Sequence, residues 1–358
     1  MAIKQYKSET ASLKTLKHEL SVLQELHHEN IVELISVREH AVYRKRDLTT
    51  YNCLAIVMEY VGGGELFDFV AETGKFSEKV ARTYFHQLMN ALYYMHKRGF
   101  AHRDIKPENI LLSEIFVLKL TDFGFSCHLK GKDGRGVLHT KLGTEGYMAP
   151  EIPERNYDGK KVDIFASGVI LFIMYAGNPP FEKASVRDPY YRLIREKRFD
   201  VFWEAHSRKR REDYFSPQFR DLMERMLSAE PNERPTIQEI AEHPWVTGSI
   251  CSHSEIKSEF TGRQRQLDAI LEKNRAEEEA QRKKRESAVD RLGQAVRSEK
   301  ELDDGAFLDF YNEEYQLKRE LPVLEEEEHY DMTIKYSPCM AVARLKEFLT
   351  SQEVNLNH

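Results

Sequence analysis

The sequence predicts an α+β fold in two parts, a strand-bearing N-terminal part and a larger helical one, followed by a mostly helical C-terminal extension. Three observations carry this. Cys53 to Tyr60 is a short apolar run preceded by a polar turn, which reads as a buried hairpin strand. From Asp68 onward apolar residues recur three and four apart, the period of amphipathic helices. Between Asn109 and Asp122, brief apolar runs separate two polar loops, His102-Arg103-Asp104-Ile105-Lys106-Pro107-Glu108-Asn109 and Asp122-Phe123-Gly124.

Composition sets the outer bounds. With 358 residues, 41% hydrophobic and 31% charged, the chain buries a sizeable core. No apolar run approaches the roughly 18 residues of a membrane span, and Met1-Ala2-Ile3-Lys4 opens no signal-peptide core. Cys53, Cys127, Cys251 and Cys339 form no CxxC pair, which argues for reduced thiols. A net charge of −6 argues against nucleic acid as a partner. The expectation is a cytoplasmic protein, with the nucleus as alternative, and no membrane association.

In chain order, Ala2-Ile3-Lys4 starts as if in mid-strand. Leu16, Leu20, Leu23 and Leu26 mark an amphipathic helix, with Glu19 off that row. His28 to Val32 leads into a hairpin with its tip at Arg44 to Thr50. The run Val61-Gly62-Gly63-Gly64 reads as a flexible connector, since no strand–GxGxxG–helix arrangement surrounds it. Ser77 caps a helix whose apolar face is Ala81, Tyr84, Phe85, Leu88, Leu92 and Met95, ending near Gly99. Gly124 to Glu151 is polar and glycine-bearing, a mobile loop. Asp163 heads a strongly apolar helix that Pro179-Pro180-Phe181 closes. Arg208 to Arg211 reads as a solvated helix end, with a nuclear-localisation or acidic-partner role as the lesser alternative.

The organisation expected is one domain over 1–248, a linker over 249–263, a charged helix over 264–300, an acidic linker over 301–328 and a small helical segment over 329–358. Heptads are not sustained in the charged helix, so a coiled coil is the second reading there. Its acidic block Glu277-Glu278-Glu279 argues against a calmodulin target. The aromatic residues between Ala306 and Leu324 leave a tail-mediated partner open.

The two polar loops hold the chemistry. Asp104 can take a hydroxyl proton, Lys106 can neutralise a transferring phosphoryl group, and Asn109 and Asp122 offer hard oxygens to Mg²⁺. Phosphoryl transfer asks for little else than placement of such charges. A charged surface turn is the plain reading of either loop alone; both in this order and spacing make it a poor one.

This stretch resembles the catalytic loop and metal-binding DFG of eukaryotic serine/threonine protein kinases, most nearly the calcium/calmodulin-dependent-kinase-like group. The resemblance covers residues 1 to about 248. It implies a two-lobed protein-kinase-like fold with a truncated N-lobe sheet, and transfer of the ATP γ-phosphoryl group, with Mg²⁺, to protein serine or threonine. In that frame Asp104 is the base, Lys106 steadies phosphate, Thr144 hydrogen-bonds near both, and Asn109 and Asp122 hold metal. Lys4 grips the α/β-phosphates and pairs with Glu19. Ala2 and Leu111 sandwich the adenine, Met58 is the gatekeeper, the backbone of Glu59 and Val61 meets the adenine edge, and Glu65 lies near the ribose. His102, Phe123 and Leu23 stack as an internal spine, Asp163 anchors the catalytic loop, and Arg234 pairs with Glu151. Thr140 stands where many relatives are phosphorylated, with Arg103 as the phosphate's partner. Relatives often add a basic residue shortly after the DFG, and Cys127 holds that place here. Phe165 stands where a tryptophan is usual. Glu65 and Glu108 lie where relatives receive arginine upstream of the target residue, so a protein substrate with basic residues before its Ser or Thr is expected.

One departure concerns the start. Members of the family carry a glycine-rich loop on two strands before the Ala-x-Lys strand, and here only three residues precede Lys4. At about 3.3 Å each they cannot form a further strand. A natural protein with a longer N-terminus is the favoured explanation; the other is a truncated, impaired kinase or a pseudokinase-like scaffold. The chain as written is expected to bind ATP weakly.

Overall fold

The computed structural model describes residues 2–7, 12–44, 48–131 and 134–299, with short gaps at 135, 141, 209 and 211–212, and side chains from 17 to 283 apart from 43, 51 and 52 in the strands. The first compact unit takes in the chain through Gln264 and the second begins at Arg265.

Strand β1 (Ala2–Lys7) is followed by helix α1 (Ser12–Leu23) and strands β2 (Leu34–Arg44) and β3 (Thr50–Met58). The three strands form an antiparallel sheet in the order β1-β3-β2, with Ala2 opposite Met58 and Lys4 opposite Ile56. The β2–β3 hairpin turns where the polar stretch was expected to turn it. Helix α1 buries Leu20, Val22, Leu23 and also Glu19, whose exposure is 2%.

The glycine connector is not loose. Gly63 N donates to Leu112 O at 2.8 Å, and a Cβ on Gly63 would sit 2.3 Å from Ser113 O. No other residue permits that approach of two backbones. The connector leads into α2 (Leu66–Thr73) and α3 (Glu78–Lys97), and Ser77 caps α3 by accepting from Val80 N. All six residues expected on the α3 apolar face are fully buried. Four short strands follow in two ladders: β4 (Phe100–Ala101), β5 (Ile110–Leu112), β6 (Leu118–Leu120) and β7 (Cys127–His128), with β4 pairing β7 and β5 pairing β6.

Helix α4 (Gly159–Ala176) is apolar all round and forms the centre of the helical part. Around it lie α5 (Pro189–Arg195), α6 (Phe199–Ser207), α7 (Pro217–Met226) and α8 (Ile237–Ala241). Arg210, expected at a solvated helix end, folds back instead: its Nη2 donates to Ala176 O at 2.9 Å and Asn178 Oδ1 at 2.6 Å. It thereby satisfies a carbonyl at the α4 C-terminus. Lys209 and Arg211 lie outside the described residues.

Helix α9 runs from His253 to Glu299. The stretch expected as a linker over 249–263 is therefore mostly helix. Phe260 is the reason: fully buried, its ring lies 5.1 Å from Phe69, 5.4 Å from Phe76, 5.2 Å from Tyr84 and 5.6 Å from Phe116. Arg263 Nη1 donates to Thr73 Oγ1 at 2.8 Å and Gly74 O at 2.9 Å, so it caps the α2 C-terminus. Lys79 pairs with Glu255 at 2.7 Å. We expect Phe260→Ala to lower the unfolding free energy by about 3–5 kcal/mol, as deletion of a buried aromatic ring does. Urea denaturation measures it, and a loss under about 1 kcal/mol would return the segment to linker status. The segments expected as acidic linker over 301–328 and helical segment over 329–358, with the aromatic residues between them, lie outside the described residues.

Candidate active site

The site is built on a loop that one buried carboxylate holds in shape. Asp163, on α4, accepts from His102 N at 2.9 Å and Arg103 N at 2.8 Å, and also meets His96 Nε2 at 2.8 Å. These bonds hold Arg103 at φ +67°, a left-handed conformation that costs a non-glycine residue about 1–3 kcal/mol. The turn there brings the next side chain, Asp104, against Thr144, Asn109 and Lys106. The His102 ring meets Phe123 edge-on at 5.4 Å, and both are buried together with Leu23.

Asp104 is 4% exposed and fully engaged. Its Oδ1 accepts from Thr144 Oγ1 at 3.2 Å, its Oδ2 accepts from Asn109 Nδ2 at 3.2 Å, and Lys106 Nζ lies 2.9 Å from Oδ2. Asn109 Nδ2 also donates to Asp104 O at 2.8 Å, fixing the loop between them. Burial alone would lower the Lys106 ammonium; its hydrogen bond to Asp104 and the carboxylates of Asp104, Glu108 and Asp122 outweigh this and hold it above the ordinary lysine range. Asp122 takes φ +61° and accepts from Gly124 N at 3.3 Å. A methyl group at Gly124 would lie 3.3 Å from Asp122 Oδ1 and 3.9 Å from Glu19 Oε2, which places the buried Glu19 carboxylate beside this turn. The side chains of Ala2 and Lys4 lie outside the described residues; only their register in β1 is given.

Asn109 and Asp122 form a carboxamide–carboxylate donor set that fits Mg²⁺, a cation that keeps most of its shell for water and phosphate oxygen. Among the described residues no group of three or more His, Cys, Asp or Glu side chains could hold a metal ion by itself.

Of the residues expected around a nucleotide, Met58 is buried at the end of β3, opposite Leu34 of β2, while Val61 and Leu111 are half-buried. Glu59 is tied by its side chain to Lys119 at 2.8 Å, and its N donates to Glu33 O at 2.9 Å. Glu65 makes an isolated bridge to Leu111 and opens α2.

Sequence reasoning picked Glu65 and Glu108 as a pair and missed Asp68, one helical turn from Glu65. Burial, then Asp68 and Glu108, push the Glu65 carboxyl up to about 8. Burial, then Glu72, push Asp68 up to about 6. Glu108 Oε2 is buried without a hydrogen-bond partner among the described residues. The i, i+3 spacing of Glu65 and Asp68 at a helix start was the available signal.

The loop after the DFG is fastened at its far end. Arg234, with no exposed side-chain surface, holds Glu151 through two bonds of 2.6 and 2.8 Å and lies over the Phe165 ring at 4.8 Å. Nearer its middle, Arg103 Nε donates to Phe125 O at 2.8 Å and Arg103 Nη1 to the Tyr157 hydroxyl at 3.1 Å. Tyr157 was not foreseen.

A fold of this kind with a loop of this kind defines the protein kinase architecture, and comparison with known sequences agrees. The protein kinase domain family matches residues 1–246, and the chain belongs to it. It is 39% identical over 234 residues to CBL-interacting protein kinase 11 of Oryza sativa subsp. japonica, covering 65% of this chain and 42% of that protein. It is 35% identical over 269 residues to CBL-interacting serine/threonine-protein kinase 20 of Arabidopsis thaliana, covering 75% of this chain and 56% of that one. The chain thus spans about half the length of the curated relatives it matches. Among the described residues no helix is long and apolar enough to cross a membrane.

Proposed function

We propose that this chain is an ATP-dependent protein serine/threonine kinase. The observation that carries it is the buried Asp104 carboxylate, held by Asn109, Thr144 and Lys106 in the arrangement a general base for a hydroxyl requires. Asp104 takes the proton of the substrate hydroxyl as that oxygen attacks. Thr144 and Asn109 keep the carboxylate from rotating, and Lys106 stands beside it to balance negative charge on the transferred group. Mg²⁺, when bound, neutralises phosphate charge, and Asn109 and Asp122 are the residues to hold it. Lys4 is assigned to the α/β-phosphates with Glu19 as its ion-pair partner, and Met58, Glu59, Val61, Leu111 and Ala2 to the adenine. No observation favours the scaffold reading. An assay with ATP, Mg²⁺ and a basic peptide tests it; phosphate on tyrosine alone, or none with any peptide, would overturn it.

Substrate choice follows from Glu65, Asp68 and Glu108. A buried Glu65 beside half-buried Asp68 and Glu108, with one Glu108 oxygen unpartnered among the described residues, suits a guanidinium, which offers five donors and a permanent charge. Peptides with arginine before the Ser or Thr are the expected substrates, and Glu108→Ala should raise KM for them by about tenfold, since loss of a charge-assisted hydrogen bond has that weight. An unchanged KM, or a peptide-array profile indifferent to upstream arginine, sinks the assignment.

The same carboxyls fix a pH dependence. The raised values of Glu65 and Asp68 mean that the folded protein keeps protons the unfolded chain has released, so these two lower stability as pH climbs from the ordinary carboxylate range toward about 8. A bound arginine favours the charged forms and expels those protons. Its affinity therefore rises with pH between about 6 and about 8. KM for an arginine peptide should fall across that window while KM for its norleucine counterpart stays flat; parallel profiles would count against it.

The relatives are named for interaction with CBL. For this chain we extend only the coarser idea, a regulatory protein partner met by residues beyond the kinase domain.

A further inference from the structure

We propose that Tyr157 is a positioning residue whose hydroxyl fastens the loop between the DFG and Glu151 in the way a phosphate on Thr140 would. The proposal rests on the kinase reading of the site. Tyr157 is 4% exposed and its hydroxyl works in both directions: it donates to Thr140 O at 2.7 Å and accepts from Arg103 Nη1 at 3.1 Å. Arg103 Nε meanwhile donates to Phe125 O at 2.8 Å. One phenol and one guanidinium thus join the catalytic loop, the residue after the DFG and the backbone at Thr140.

The neighbouring bonds follow the same line. Tyr157 and Leu138 exchange both backbone hydrogen bonds, at 2.9 and 3.2 Å, and the His139 ring meets Arg155 O at 2.7 Å. Burial keeps the phenol protonated, so it stays a donor to Thr140. Where a second cation for a phosphate would stand, Cys127 is paired in β7 with Ala101. A single guanidinium makes a modest phosphate site, and the tyrosine hydroxyl already occupies one of its arms. The loop is therefore ordered by the chain's own side chains, with phosphate as a competing partner for Arg103 rather than its sole one.

The test compares Tyr157→Phe with the parent in the full chain, each with threonine or phosphothreonine at position 140. Amide hydrogen exchange over residues 138–144 and peptide kcat and KM are read in parallel. Without phosphate, Tyr157→Phe should speed exchange there by about tenfold, the weight of a buried hydrogen bond to a charged group. With phosphothreonine, which engages Arg103 directly, the change should shrink to about twofold or less. Unaltered exchange in the threonine form overturns the proposal, and so does an equal increase in both forms, which is the signature of lost packing alone. Exchange reads the proposal even where phosphotransfer is absent; inactivity of every form, with the exchange pattern as expected, counts against the kinase reading only.

Discussion

Asp104→Asn lowers kcat by a factor on the order of 10² or more, with the fold and ATP affinity retained. The carboxamide is nearly the same size and can still accept from Thr144, so the loop that Asp163 holds stays in place. What it cannot do is take the hydroxyl proton. The effect should fall on kcat, because the lost interaction strengthens as the proton moves. Loss of the Lys106 ion pair adds to it, since that ammonium then faces an uncharged neighbour. Single-turnover kinetics with a saturating arginine peptide measures the rate, and a melting curve within a few degrees of the parent certifies the fold. A rate within about threefold of the parent would remove Asp104 from the role of base.

The second large effect is on stability. Arg234→Ala is expected to cost about 3–5 kcal/mol, because it leaves the Glu151 carboxylate buried without its partner. Arg234 donates to both Glu151 oxygens and also to Ser228 O at 2.9 Å and Lys161 O at 3.1 Å, so four acceptor oxygens lose this donor together. Set against a total of about 5–15 kcal/mol for a native domain, that leaves little in reserve. The pair as a whole need not be favourable: Glu151→Gln combined with Arg234→Met should be more stable than Arg234→Ala alone, since no charge is stranded. Chemical denaturation of the three variants decides it. A cost below about 1 kcal/mol for Arg234→Ala, or a double variant less stable than Arg234→Ala, would contradict the assignment.

Part of this was legible in the sequence because it is local. The order His102 to Asn109 then Asp122 to Gly124 specifies a reaction by residue type and spacing, and Ser77 with the apolar row from Ala81 to Met95 specifies a capped helix by period alone. The resemblance added long-range pairs, and Asp163 with the catalytic loop and Arg234 with Glu151 stand as it implied.

What tertiary structure decided has one physical reason: it depends on which distant groups share a desolvated space. Phe260 is one aromatic residue in a charged stretch until four rings from α2, the α2–α3 connection, α3 and the loop after β5 surround it. Arg210 belongs to a basic run until Ala176 and Asn178 receive it. Glu65, Asp68 and Glu108 are ordinary acids in sequence, and only desolvation in the fold raises Glu65 and Asp68 and leaves an oxygen of Glu108 without a partner among the described residues. Tyr157 lies 54 residues from Arg103 and 17 from Thr140, and no local pattern marks a hydroxyl that the fold sets between the two.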